Sequence, residues 1–197
     1  LYIWQYQDYP ADRRELVILD DSPASNADLI DMMVDPSQPN VRYIHSPERL
    51  TLGNKRNRLN ALAKGEYIIC FDDDDYYAPD KISHQVAQMQ THRALFSGSD
   101  QIYIWYSHLD KIYLTHSFGA RHALNGTFGY HRNLLKNHRY DDEAMQAEEV
   151  GFLNNFTTPV QQIDPKRTIL CISHSSNTYD KDFILDSSTP VDLTLED

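Results

Sequence analysis

The sequence is short of basic residues and of long apolar runs, and each shortage argues against a class of protein. Its 18 lysines and arginines stand against 29 aspartates and glutamates, a net charge of −11, which argues against a nucleic-acid backbone as the main partner. No apolar run approaches the roughly 20 residues that cross a bilayer, and no signal-peptide pattern is visible. We therefore expect a cytoplasmic protein without a transmembrane segment.

Cysteine is also scarce. Cys70 and Cys171 each lie inside an apolar, strand-like run, which favours two small buried side chains over a disulfide or a ligand pair. A chain of 197 residues with 41% apolar side chains can bury an ordinary core, so we expect a single domain. Its acidic surface would repel a phosphate-bearing ligand unless a metal or a local basic patch reversed the sign of the charge.

The first half of the chain alternates strand and helix patterns. Apolar runs at 15–19, 41–45 and 67–71 have strand length, and residues 52–64 and 79–91 have helical spacing or start signals. This rhythm predicts an α/β fold with a mainly parallel central sheet flanked by helices. Ligands of such sheets gather at the carboxyl ends of the strands, where two groups of aspartates lie.

The second half has a different pattern. Short strands with tight turns between residues 95 and 116 predict a small antiparallel extension, and a helix is predicted over 144–156. A further strand is expected at 168–172. Residues 180–197 show no periodicity and are expected to form a polar tail.

Four consecutive carboxylates, Asp72, Asp73, Asp74 and Asp75, follow the strand predicted at 67–71. Like charges this close raise each other's pKa and destabilise the fold, and a divalent cation removes that penalty. Mg²⁺ and Mn²⁺ prefer such oxygen ligands together with substrate phosphates. Alternate residues of a strand share a face, so Asp72 and Asp74 are predicted to face one site. The alternative is a solvated acidic turn or helix cap.

The segments ELVILDDSP and GNKRNRLNALAKGEYIICFDDDDYYAP resemble the inverting family 2 glycosyltransferases of GT-A fold. The shared pattern is a strand ending in two acids, a helix carrying Arg-Asn, and a strand ending in an aspartate-rich DXD motif before proline. The resemblance implies that Asp74 ligates Mn²⁺ or Mg²⁺. It implies that Asp72 and Asp73 contact the ribose or support the metal.

The same resemblance assigns three residues to the nucleotide. Asp20 and Asp21 would lie beside the base and ribose, and Arg56 would reach the nucleotide or its diphosphate from a helix. From the residues alone, Arg56 could equally be an exposed helix cation.

Two later segments carry the rest of the implied site. In QAEEVGF the second acid of the family's acidic pair, the catalytic base, falls on Glu149, with Glu148 before it. Many family members have Glu-Asp here, so the Glu-Glu pair is a departure; the alternative is two exposed helix residues. In CISHSSN, His174 follows a strand, and by resemblance it completes the metal site.

Together these features predict an inverting glycosyltransferase that moves a hexose from a nucleotide sugar, UDP-linked by expectation, to a glycan or other hydroxyl acceptor. The alternatives are a sugar nucleotidyltransferase and a non-catalytic carbohydrate- or Ca²⁺-binding module. We expect residues 1–197 to form one GT-A catalytic domain. Family members begin with a strand that this sequence lacks, so we expect more protein before Leu1, as part of a longer, multidomain chain.

Overall fold

Short apolar runs form ten strands and five α-helices over the residues that the computed structural model describes, which are 1–37, 40–175, 177 and 181–196. The strands are β1 Leu16–Asp20, β2 Val41–His45, β3 Tyr67–Ile69, β4 Phe96–Gly98, β5 Tyr103–Tyr106, β6 Lys111–Leu114, β7 Gly129–His131, β8 Gln161–Gln162, β9 Leu170–Ser173 and β10 Thr189–Pro190. The helices are α1 Tyr2–Gln5, α2 Ala27–Met33, α3 Leu52–Leu62, α4 Lys81–His92 and α5 Glu149–Phe152.

The strands form three sheets whose pairing is more mixed than the predicted, mainly parallel sheet. The pairs β1–β2, β4–β8 and β5–β9 are parallel, whereas β7 runs antiparallel between β3 and β4. The third sheet has the order β10-β6-β5-β9, and a bridge from Tyr76 to Leu170 joins β9 to the segment after β3. The α/β class is confirmed. Two antiparallel pairs arise because β7 returns between β3 and β4, and two more arise because β6 runs antiparallel to β5 and β10.

Strands β1 and β3 are connected by contacts at both of their ends. Before β1, the Glu15 carboxylate accepts a hydrogen bond of 3.0 Å from the backbone N–H of Gly65, which precedes β3. After the strands, the neighbouring α3 side chains at 55–56 bind Asp21 and Asp72 respectively. The two groups of aspartates therefore lie at the same edge, as the sequence predicts.

A cavity of about 320 Å³ lies between β1 and β3. Side chains of α3 and α4, among them Leu59 and Val86, line it together with Leu16 and Ile69 of the two strands. Within the described residues β1 pairs only with β2, and β3 only with β7. Each strand consequently offers an unpaired backbone edge to the cavity.

Helix α5 is far shorter than the helix predicted over 144–156. It spans Glu149–Phe152, and its flanks adopt left-handed backbone conformations, at Ala147 with φ 52° and at the three residues 154–156 with φ 50–58°. Left-handed residues cannot continue a right-handed helix, so the predicted helix is wrong outside this single turn. The turn is held by Phe152, which packs in an aromatic core with Phe96, Phe128 and Tyr130.

The expected polar tail contains regular structure, although most of its described residues are exposed or only half-buried. Residues Asp182–Ser187 form a 3₁₀-helix whose Ile184 is buried, and β10 pairs with β6. Asp180 and Asp197, at the ends of the predicted tail, lie outside the described residues. None of the helices described here combines the length and the apolar composition needed to cross a bilayer.

Candidate active site

The acidic run follows β3 and bends sharply, so that two of its carboxylates are exposed and the other two are partly or fully buried. Asp73 and Asp74 are exposed, Asp72 is half-buried and Asp75 is buried. The backbone N–H of Asp72 donates to the Tyr77 hydroxyl at 2.8 Å, which fixes the start of the turn. The turn therefore presents acids to solvent at the carboxyl edge of the sheet.

Asp75 anchors the acidic run to β9. Its carboxylate accepts a hydrogen bond of 2.8 Å from the backbone N–H of Ile172 and lies 3.8 Å from the Lys181 ammonium. Burial raises the pKa of Asp75, although both partners oppose the shift. Because β9 leads into His174, this anchor determines how the histidine approaches the run.

Asp74 and His174, the predicted metal ligands, lie on either side of Asn177. The Asn177 amide nitrogen is 3.1 Å from Asp74 Oδ2 and 3.1 Å from His174 Nε2, and its Oδ1 accepts the His174 backbone N–H at 2.7 Å. One carboxylate oxygen and one imidazole nitrogen therefore lie within 3.1 Å of the same amide nitrogen. The described residues contain no group of three or more His, Cys, Asp and Glu side chains placed for a metal.

This donor set fits Mn²⁺ or Mg²⁺ rather than a metal that needs a closed protein cage. Those ions accept one or two protein ligands and complete their coordination with water and substrate phosphates. Asn177 was not among the predicted site residues. The only sequence signal for it is its place three residues after His174.

Arg56 lies between the acidic run and the Glu148–Glu149 pair. Its Nε is 2.8 Å from Glu148 Oε1 and its Nη2 is 3.3 Å from Asp72 Oδ1. The Glu148 side chain is only 5% exposed and that of Arg56 14%. Burial works against the guanidinium charge, but the nearby carboxylates outweigh it and raise the pKa of Arg56. Arg56 is therefore not an exposed helix cation, and its charge is shared between two acids of the site.

Glu149 lies in a different setting from its neighbour. Its Oε1 accepts a hydrogen bond of 3.1 Å from the backbone N–H of Asn125, in a 3₁₀ turn at Asn125–Thr127. Burial and the charge of Glu148 raise the pKa of Glu149 to about 7. A carboxylate with a pKa near neutrality suits proton transfer at physiological pH.

Asp20 and Asp21 lie at the same edge but have their own partners. Asp21 is buried and accepts from the Lys55 ammonium at 2.6 Å and from the Leu50 backbone N–H at 2.9 Å. Asp20 accepts from Asn26 Nδ2 at 2.9 Å and from the Tyr43 hydroxyl at 2.5 Å. Burial acts to raise the pKa of Asp20, but hydrogen bonds from Ser22, Tyr43 and Asn26 outweigh it and lower that pKa. Both aspartates thus order the loop after β1.

The predicted residues form three linked groups rather than one cluster. Arg56 joins Asp72 to Glu148, and Asn177 joins Asp74 to His174. The pair 20–21 reaches the others through α3, where Lys55 precedes Arg56. The sequence marked Asn125–Thr127 as either a turn bordering the sugar or a plain turn before a strand, but it predicted neither the contact of this turn with Glu149 nor that of Lys55 with Asp21.

The sequence matches a family model and two curated proteins. The family model described as "Glycosyl transferase family 2" matches residues 3–147. The putative colanic acid biosynthesis glycosyl transferase WcaA of Escherichia coli K12 is 34% identical over 87 residues, 43% of this chain and 31% of that protein. The Escherichia coli UDP-Glc:alpha-D-GlcNAc-diphosphoundecaprenol beta-1,3-glucosyltransferase WfaP is 34% identical over 86 residues, 44% of this chain and 34% of that protein.

Solved structures show the same fold at low identity. S. aureus TarS, in complex with UDP-GlcNAc, superposes with a TM-score of 0.66 at 19% identity, over 89% of this chain and 54% of that one. The mannosyltransferase PcManGT of Pyrobaculum calidifontis, in complex with GDP-Man and Mn²⁺, gives 0.63 at 13% identity, over 92% and 54%. The chain spans about a third of these curated relatives and about half of these structures. Its GT-A fold and the match over residues 3–147 show that the chain belongs to glycosyl transferase family 2.

Proposed function

We propose that this domain transfers a hexose from a nucleotide diphosphate sugar to a hydroxyl acceptor, with inversion at the anomeric carbon. The observation that supports the proposal most strongly is the position of Arg56, which forms ion pairs with both Asp72 and Glu148. It thereby links the acidic run to an acidic pair in a distant part of the chain. A binding-only module has no need of a second acidic group with a raised pKa beside the first. Membership of family 2 supports the same reaction class.

Glu149 is the proposed base. Its carboxylate takes the proton of the acceptor hydroxyl while that oxygen bonds to the anomeric carbon, and the bond from this carbon to the diphosphate breaks on the opposite face. Removing the base typically lowers turnover by about 10²–10⁴-fold. Glu148, tied to Arg56, is left with the role of holding the guanidinium in place.

Asp74 and His174 are the proposed protein ligands of a Mn²⁺ or Mg²⁺ ion, with Asn177 between them. When bound, the ion would neutralise charge developing on the leaving diphosphate. Such an ion would also reduce the repulsion between a diphosphate ligand and a protein whose net charge is −11. Mn²⁺ accompanies GDP-Man in the structure of PcManGT.

The nucleotide is proposed to be uridine diphosphate. WfaP is described as using UDP-Glc, and TarS was solved with UDP-GlcNAc. Asp20 and Asp21 order the loop after β1. In the proposed complex this loop contacts the base and ribose, and Asp72 and Asp73 contact the ribose or support the metal.

We also propose that the cavity between β1 and β3 holds one further strand of the central sheet, supplied from outside residues 1–197. Within the described residues, the two unpaired strand edges and the many apolar side chains that line the cavity support this occupant. A β-branched extension fused ahead of Leu1 should raise the Tm, since it pairs both edges. The same extension with proline at alternate positions should leave the Tm unchanged, because proline has no backbone N–H to donate to the strand edges. Equal Tm values would contradict the proposal.

The reaction is tested by release of UDP from UDP-glucose and UDP-GlcNAc, and of GDP from GDP-mannose, with MnCl₂ or with EDTA, against a panel of glycan acceptors. We expect one UDP-sugar to react with an acceptor, and EDTA to stop the reaction. Glu149→Gln should lose turnover but keep the donor-induced rise in Tm. Unchanged function in Glu149→Gln favours the binding module, and pyrophosphate release from UTP with a sugar 1-phosphate favours the nucleotidyltransferase.

A further inference from the structure

Lys81, the first residue of α4, is completely buried beneath the acidic run. Its ammonium donates a hydrogen bond of 2.7 Å to the carbonyl oxygen of Gly126 and lies 4.1 Å from the centroid of the Tyr77 ring. Buried lysines are rare because desolvating the ammonium is costly. Burial lowers the pKa of Lys81 to about 7, although Cys70, Asp72 and Asp75 oppose the shift. The fold therefore tolerates this cation rather than gaining from its burial.

The Gly126 side of this contact leads to the proposed base. Asn125, next to Gly126 in the same 3₁₀ turn, donates its backbone N–H to Glu149 Oε1 at 3.1 Å. The turn packs closely against the site, because a Cβ on Gly126 would lie 2.9 Å from Asp72 Oδ2 and 2.7 Å from Ile169 Cδ1. A contact that fixes the Gly126 carbonyl therefore also fixes the neighbouring backbone N–H of Asn125, which donates to Glu149.

The Tyr77 side leads to the acidic run. The Tyr77 hydroxyl accepts the backbone N–H of Asp72 at 2.8 Å, and the face of the same ring lies against the Lys81 ammonium. A cation over an aromatic face is attracted by the ring's electrons, and more strongly when water is excluded. Lys81 therefore contacts Tyr77, which binds the backbone of Asp72, and it also contacts the Asn125–Thr127 turn, which binds Glu149.

We propose that Lys81 is a positioning residue for the transfer reaction, which keeps Glu149 at a fixed place relative to the acidic run. The inference rests on the proposed function, since it concerns the residue proposed as base. Lys81 acts through the Asn125–Thr127 turn and through Tyr77, and takes no proton in the reaction. Catalytic groups displaced by about 1 Å can lose about 10²-fold in rate, so even a small shift of the turn should be visible in kcat.

The test compares Lys81→Met, which keeps a buried apolar stem but loses the charge and the donor, with the wild-type protein and with Lys136→Met at an exposed position. UDP release from the UDP-sugar that the wild type accepts gives kcat and the donor KM. We expect kcat of Lys81→Met to fall by about 10–100-fold, with the donor KM within about threefold of wild type. Lys136→Met should match the wild type in both constants.

Gly126→Ala perturbs the same contact from the other side. Its new Cβ would lie 2.9 Å from Asp72 Oδ2 and 2.7 Å from Ile169 Cδ1, so we expect the turn to shift against Asp72 and the variant to show the same split between kcat and KM. It also serves if Lys81→Met fails to fold. The proposed role of Lys81 would be overturned if the variants that fold keep the kcat of the wild type. It would also be overturned if only their donor KM changes. If the wild type itself transfers no sugar, the proposed function fails instead, and the two failures are thereby distinguished.

Discussion

Replacing Arg56 by methionine should destabilise the fold far more than the loss of one surface ion pair. The substitution leaves the Glu148 carboxylate, 5% exposed, without the guanidinium that lies 2.8 Å from it. Removing one partner of a buried pair typically costs about 3–5 kcal/mol, because the remaining charge is neither solvated nor paired. Asp72 adds less to this penalty, since its side chain is 30% exposed and water can reach it.

The assay is urea unfolding at pH 7.5, with stability taken from the midpoint and the slope. Arg139→Met is the control, because Arg139 pairs with Asp142 while 69% exposed, and should cost below about 1 kcal/mol. The double variant Arg56→Met with Glu148→Met removes both charges and should recover about 2 kcal/mol or more relative to Arg56→Met alone. Arg56→Met unfolding within about 1 kcal/mol of wild type, or a double variant no more stable than Arg56→Met, would refute a buried, mutually dependent pair.

Two further predictions concern the chemistry of the site. Glu149 must be ionised to act as the base, and its pKa is about 7. The value of kcat/KM should therefore rise as the pH increases through about 7 and level off above it. A pH profile that is already level at pH 5.5 would exclude Glu149 as the base. Asp74→Ala should abolish the rise in Tm that MnCl₂ produces together with UDP, whereas Asp31→Ala, an exposed helix residue, should keep it. An undiminished manganese effect in Asp74→Ala would remove that residue from the metal site.

Local patterns predicted the strand and helix sequence of the first half because each element there carries its own signal. The helix predicted over 52–64 is α3, and the strand expected at 41–45 coincides with β2. The prediction over 144–156 was wrong for a reason that local propensity cannot supply. Its backbone is bent at residues 154–156, and Phe152 is drawn into the aromatic core.

The residues of the candidate site were named from their motifs, but their partners were not. An Arg-Asn pair on a helix gives no sign that Arg56 will meet Glu148, because 92 residues separate the two along the chain. The contact exists only because α3 and the turn before α5 pack at the same edge of the sheet. Likewise, no local pattern relates Lys81 to the carbonyl of Gly126.

Sequence alone determined which acids gather at the carboxyl edge, since strand periodicity and loop position decide where a chain delivers its polar residues. It thereby identified the acidic run, whereas the pair at 148–149 and His174 became candidates only through the family resemblance of their segments. Tertiary structure decided their electrostatic states. Burial and neighbouring charge depend on segments far apart in the chain, so only the packed fold separates Glu149, with its raised pKa, from Glu148, paired with Arg56.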